Sequence, residues 1–170
     1  MPFVYNVDSR MAAAALENYA THATPNTEID AAFWKPGATC TMNLLNLRGQ
    51  GKGAGLTALS GIALRLKIYP TTAAAGGSAI TPKAVDDRHT RAAVSVCAAA
   101  ATAAGNVTAG TGTLAQAGGI SFGASGPGGW VAENPDSMIT IEGGAARSLD
   151  LFSSSPTASL NYEWFSRIQE

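Results

Sequence analysis

The sequence predicts an all-β fold: an antiparallel β-sandwich preceded by an extended, partly helical N-terminal arm. Three observations point there. From about residue 38 onward, apolar and polar residues alternate with period two in short runs. Gly- and Pro-containing turns separate these runs at loose spacing, which is the pattern of a sandwich. Ala, Gly, Ser and Thr supply 81 of the 170 residues, whereas Leu, Ile, Val, Phe, Met, Trp and Tyr supply 43. Small side chains bury little apolar area, so the core is expected to be thin and contacts with neighbouring subunits to add stability.

The length fits one domain, residues 36–170, with an appended arm, residues 1–35. In the arm, DSRMAAAALENYATH fits a short helix with Asp8 or Ser9 as N-cap and Met11, Leu16 and Tyr19 roughly on one side. ATPNTEIDAAFWKPG then reads as an extended connection broken at Pro25 and Pro36. Phe3, Tyr5, Phe33 and Trp34 are its large residues, and they are expected to anchor it on this domain or on a partner.

In the domain, Cys40, Met42 and Leu44 alternate with Thr41 and Asn43. GIALRLKIYP is the clearest strand, with Ile62, Leu64, Leu66 and Ile68 on one face and Ala63, Arg65, Lys67 and Tyr69 on the other. A short strand is expected around Val94 and Val96, while the alanine run 98–104 fits helix as well as strand. Residues 110–129 hold eight glycines and read as a long loop or weak strand. SMITIEGG and ARSLDLFSS are further strands, and the terminal LNYEWFSRI places Leu160, Tyr162 and Trp164 inward and Asn161, Glu163 and Phe165 outward.

Eleven Lys and Arg face twelve Asp and Glu, with no basic run, so no direct nucleic-acid partner is expected. No apolar run approaches the ~20 residues of a membrane span, and MPFVYNVDSR lacks the features of a secretory leader. Cys40 and Cys97 are expected to be reduced thiols in a chain made in the cytoplasm of its host.

No motif carries chemistry. RGQGKGAGL suggests a phosphate cradle, but Lys52 is followed by Gly53 where a Mg²⁺-binding hydroxyl is required, and Gly-x-Gly-x-Gly is not the dinucleotide spacing. A strand-to-strand loop is the reading, with Arg48 and Lys52 at an exposed tip available to a partner. Asp86, Asp87, Arg88 and His89 form one polar cluster with no second group of ligands to complete a metal site. Gly-x-Ser-x-Gly does not occur. Trp34, Trp130 and Trp164 offer aromatic faces for a sugar platform, but Trp164 lies on the inner face of its strand and suits core packing, and Trp130 suits pinning the glycine-rich loop; a sugar binder using Trp130 and the loop 110–129 is the alternative. No catalytic residue, cofactor or metal is expected.

TMNLLNLRGQGKGAGLTALSGIALRLKIYP, GGSAITPKAVDDRHTRAAVSV and the terminal NYEWFSRIQE together resemble small virion structural proteins of tailed double-stranded DNA bacteriophages. The likeness covers roughly residues 40–100 and 155–170. It implies a jelly-roll-like subunit of the capsid decoration or cement type on the capsid exterior. Such a subunit forms a homo-oligomer, a trimer being the leading expectation, and contacts the major capsid protein. A collar or tail protein is equally compatible.

Overall fold

The computed structural model describes residues 2–9, 20–22, 25–52, 61–86, 88, 90–99, 107–112, 115–123, 126–144, 146–156 and 160–170. Alternation of buried and exposed side chains makes nearly every regular element a strand. In chain order these are β1 (Val4–Asp8), β2 (Ala20–His22), β3 (Glu28–Lys35), β4 (Met42–Lys52), β5 (Gly61–Tyr69), β6 (Ala75–Gly76), β7 (Ser78–Ile80) and β8 (Lys83–Ala84). They continue with β9 (Val96–Ala99), β10 (Val107–Thr108), β11 (Ala115–Gly123), β12 (Gly128–Val131), β13 (Ile139–Ile141), β14 (Ser148–Ser154) and β15 (Leu160–Gln169). A 3-10 turn at Pro135–Ser137 leads into β13, capped by Asn134, whose side chain accepts from the Ser137 amide.

The long strands pair from the outside of the sequence inward. β1 pairs with β15, β3 with β14, β4 with β12, and β5 with β11, all antiparallel. Two further antiparallel pairings, β15 with β4 and β14 with β5, join these four ladders into two sheets. The first sheet runs β12-β4-β15-β1-β8, with β13 also on β4 and β2 on β15. The second runs β11-β5-β14-β3-β9-β7. The excursion between β5 and β11 supplies the short strands: β8 extends the first sheet, β7 and β9 extend the second, and β6 pairs with β10.

The sheets face each other across one core. Trp34 of β3 meets Trp164 of β15 edge-to-face with ring centroids 5.2 Å apart, and Phe122 of β11 meets Tyr162 of β15 at 6.3 Å. Leu44, Leu47, Leu64, Leu149, Leu151 and Ile168 are fully enclosed around them. The strand expected at 61–69 buries Ile62, Leu64 and Leu66 and exposes Arg65, and the terminal strand buries Leu160, Tyr162 and Trp164. A thin core was expected; instead the scarce large side chains are concentrated inside. Among the described residues only Val85, Val94, Val96 and Val131 are large apolar side chains that stand exposed.

Several expectations are corrected. Residues 1–35 do not lie apart from the domain: β1 is bracketed by β15 and β8, and β3 by β14 and β9. On β1 the reason is period two, and on β3 it is a run of four residues buried on both faces of the sheet. Tyr5 and Val7 are buried on β1, and Ala31 to Trp34 on β3, while Pro25 and Pro36 flank a strand rather than break an arm. The helix expected at the N-terminus falls largely on residues 10–19, outside the described residues; the described stretches on either side of them, β1 and β2, are strands.

The glycine run is no loop as far as Lys52, because β4 continues through it; residues 53–60 lie outside the described residues. Gly49 faces inward, where an added Cβ would stand 2.2 Å from the Phe122 ring, so glycine there makes room for a core aromatic. Alternation from Met42 and Leu44 would place Asn46 inward next. A bulge shifts the register, with Ile168 opposite Leu44 but Arg167 opposite Asn46, and Leu47 enters the core. The glycine-rich stretch 110–129 contains two strands, β11 and β12, with a bulge between Gln116 and Gly118. Of the alanine run, Ala98 and Ala99 are strand and the rest lies outside the described residues.

Candidate functional site

The six residues expected to bind a partner fall in different environments. Tyr5 is buried and donates its hydroxyl to the Arg91 carbonyl at 3.2 Å; burial and then the nearby Glu170 carboxylate raise its pKa. Trp34 has no exposed surface. Phe33 points to the opposite face of β3 and is enclosed with Ala74, Ala98 and Val107 beneath the excursion. These three hold the fold together and present no side-chain surface to a partner. Phe3 is half-buried against the core edge with the Arg91 guanidinium 5.2 Å from its ring. Arg48 is exposed. The backbone of Lys52 pairs with Asn161, and its side chain lies outside what is described.

Arg48 belongs to a cleft of mixed polar and apolar lining, about 330 Å³ in volume, formed also by Asp8, Gln50, Pro127, Glu163, Trp164 and Phe165. The cleft arises because β4, β15 and β1 turn their polar alternates to the same side. Asn6 accepts from Arg167 at 3.3 Å on this face, Thr140 donates to Asn43 at 2.8 Å, and the Arg167 guanidinium lies 5.9 Å from the Phe165 ring. An amide, one guanidinium and carboxylates beside the aromatic Phe165 and the edge of Trp164 suit contact with a protein surface or a sugar.

A second polar cluster lies on the outer face of the other sheet, and sequence reasoning missed it. Asp30 of β3 and Asp150 of β14 both reach this face, where residues 107–112 cross it. Asp150 is fully buried; its oxygens accept from the Ser148 hydroxyl at 2.6 Å and the Gly110 amide at 2.9 Å. Ser148 Oγ in turn accepts from the Ala74 amide at 2.9 Å. Asp30 accepts from the Ala109 amide, yet its Oδ1 is buried with no hydrogen-bond partner among the described residues. Burial first, and then the Asp150 carboxylate, push the Asp30 carboxyl up to about 7 against weaker opposing effects of Lys67 and the Ala109 amide. Burial also raises Asp150, with the Gly110 amide and Ser148 hydroxyl pulling the other way. Tyr69 is raised by burial and then by Asp150, Asp30 and Glu28. The signal in the sequence was a lone carboxylate between Leu149 and Leu151; alternation alone reads it as a solvated outward residue.

The other candidates lie in separate places as far as they are described. Arg88 and Asp86 make an exposed pair at 2.6 Å, while Asp87 and His89 lie outside the described residues. His22 is buried in the core, its Nδ1 3.1 Å from Ser153 Oγ, away from solvent and any cleft. The Cys97 thiol is buried, and burial raises its pKa strongly, so it is a poor nucleophile. Trp130 is half-buried and packs on the core edge. Among the described residues no group of three His, Cys, Asp or Glu is placed to hold a metal. Comparison with protein-family models, curated proteins and solved structures gives no match in any of the three.

Proposed function

We propose that the chain is a non-enzymatic virion structural protein, a jelly-roll subunit of the capsid decoration or cement type that attaches to a shell of major capsid protein. The observation that carries the reading is the nested strand pairing. A long hairpin whose arms pair first with last, second with next-to-last, and so on, and which then rolls up, produces the two-sheet jelly roll; that architecture recurs in viral capsid and lectin domains. The orders β12-β4-β15-β1 and β11-β5-β14-β3 follow this scheme, with β8, β9 and β7 as additions at the edges.

The surface supports attachment through polar contacts. Formal charge is −1, and the large apolar side chains exposed among the described residues are four valines. A stable protein contact buries about 1,600 Å² in total, and non-obligate ones are no more apolar than ordinary surface. The polar face around Arg48 is therefore the attachment surface we favour, and copies meet on the shell rather than through an apolar seam formed beforehand. A second reading, a host-glycan-binding module, is favoured by the same cleft and the same architecture.

The test is co-sedimentation of the purified chain with shells of the virus that encodes it, stripped of their accessory proteins. The expected result is saturable binding that Arg48→Glu weakens at least tenfold. Binding unchanged in that variant removes the cleft as the attachment surface. Absence of shell binding overturns the reading, and retention of one glycan class in a screen of immobilised sugars then favours the second.

A further inference from the structure

We propose that residues 70–77 and 107–112 form a pH-sensitive cover on the outer face of the second sheet, closed while Asp30 holds a proton and loosened when that proton leaves. This inference is independent of the shell-binding reading.

The cover is a built feature. β6 and β10 pair through Val107 opposite Gly76 and Thr108 opposite Ala75, and Thr72 bridges Thr111. Ala74 and Val107 close over Phe33. Gly110 lies so close to the sheet that a Cβ would come within 2.5 Å of Tyr69 Cβ and the Thr72 carbonyl. Three hydrogen bonds hold the cover to side chains beneath it: Ala109 to Asp30, Gly110 to Asp150, and Ala74 to Ser148. Two carboxylates on neighbouring strands thus receive two consecutive amides.

Charge under the cover does not balance. β3 brings Glu28 and Asp30, β14 brings Asp150, and β5 brings Arg65, Lys67 and Tyr69. Both cations are already committed to Glu28, Arg65 at 3.3 Å and Lys67 in closer contact, and Lys67 also sits 4.1 Å above the Phe152 ring. The cover itself brings none: PTTAAAGG at 70–77 and VTAGTG at 107–112 contain no charged residue, and neither does any position from Ala92 to Ala132. Asp30 and Asp150 therefore share a covered site without a base of their own, and Asp30 Oδ1 lacks a partner there. A proton on Asp30 removes the unbalanced charge, and its raised pKa agrees with that geometry.

The sign follows from linkage. With the cover closed, Asp30 keeps its proton to about pH 7; with the cover open, a solvated carboxyl loses it near pH ~4. Between those limits closing takes up a proton, so the open fraction grows by up to about tenfold per pH unit and levels off above about 7. The raised Asp150 acts in the same direction.

Hydrogen exchange at the Ala109 and Gly110 amides, followed by NMR from pH 5 to 8, tests this together with a carboxyl-carbon titration of Asp30. Protection at both amides should fall up to tenfold per unit to pH 7 and then flatten, while the Leu66 amide in β5 stays protected. Asp30→Asn, neutral at every pH, should keep the cover protected at pH 8. Flat wild-type protection, the wild-type slope persisting in Asp30→Asn, or an Asp30 midpoint near 4 each overturns the proposal. If the variant does not fold, the wild-type titration decides: a midpoint near 7 sustains it, and one near 4 ends it.

Discussion

Gly49 and Phe122 show how single residues set the distance between the sheets. The Phe122 ring fills the space that a side chain at position 49 would take, and Gly128, opposite Gly49 on β12, has the Ser121 carbonyl 2.3 Å from where its Cβ would be. Gly49→Ala therefore overpacks the core and is expected to lower unfolding free energy by about 1–3 kcal/mol, measured by urea denaturation. Pairing it with Phe122→Leu, which withdraws the ring, should cost less than the sum of the two single changes, because the residues share one space. Strict additivity would show that the contact does not govern the site. Trp34 and Trp164 belong to the same scale: both indoles are enclosed, and their edge-to-face contact spans the two sheets. The role of Trp164 was legible as core packing, while Trp34 was read as an arm anchor. The roles of Tyr5 and Phe33 were not, because an aromatic within a few residues of small and polar neighbours reads equally well as an anchor or as an inward strand residue.

Among the elements, the first and last strands carry the architecture. β1 pairs along its whole length with β15, from Val4 opposite Gln169 to Asp8 opposite Phe165, and β3 is a central strand of the other sheet. Removing residues 1–35 takes β1 and β2 from the first sheet and β3 from the second, and uncovers Trp164 and Leu149. The truncated chain is expected to lose its cooperative thermal transition, as read by circular dichroism; a sharp transition within a few degrees of the full chain would contradict this assignment of the strands. Strands with strict alternation, β5 and β15, were legible in the sequence because one face is apolar and the other polar. β4 beyond Leu47, β11 and β12 were not, since glycine carries no pattern and a bulge resets the period. β1 and β3 were misread as an arm because their partners lie far along the chain, from Val96 opposite Lys35 to Gln169 opposite Val4, which no local window shows.

At the scale of the molecule, the two sheets enclose the large apolar residues and leave two polar outer faces. One carries the Arg48 cleft; the other is crossed by an uncharged cover over Asp30 and Asp150. The cleft was half visible in the sequence through Arg48, but its other walls come from three separated strands. The Asp30–Asp150 cluster was invisible because it depends on which strands are neighbours and on a segment folding back across them. The most direct measurement of the proposed role is electron cryo-microscopy of the intact virion whose genome encodes this chain. The account predicts this two-sheet subunit on the capsid exterior, with the Arg48 face against the major capsid protein. Particles that lack the chain, or that hold it anywhere other than on the shell, would contradict it.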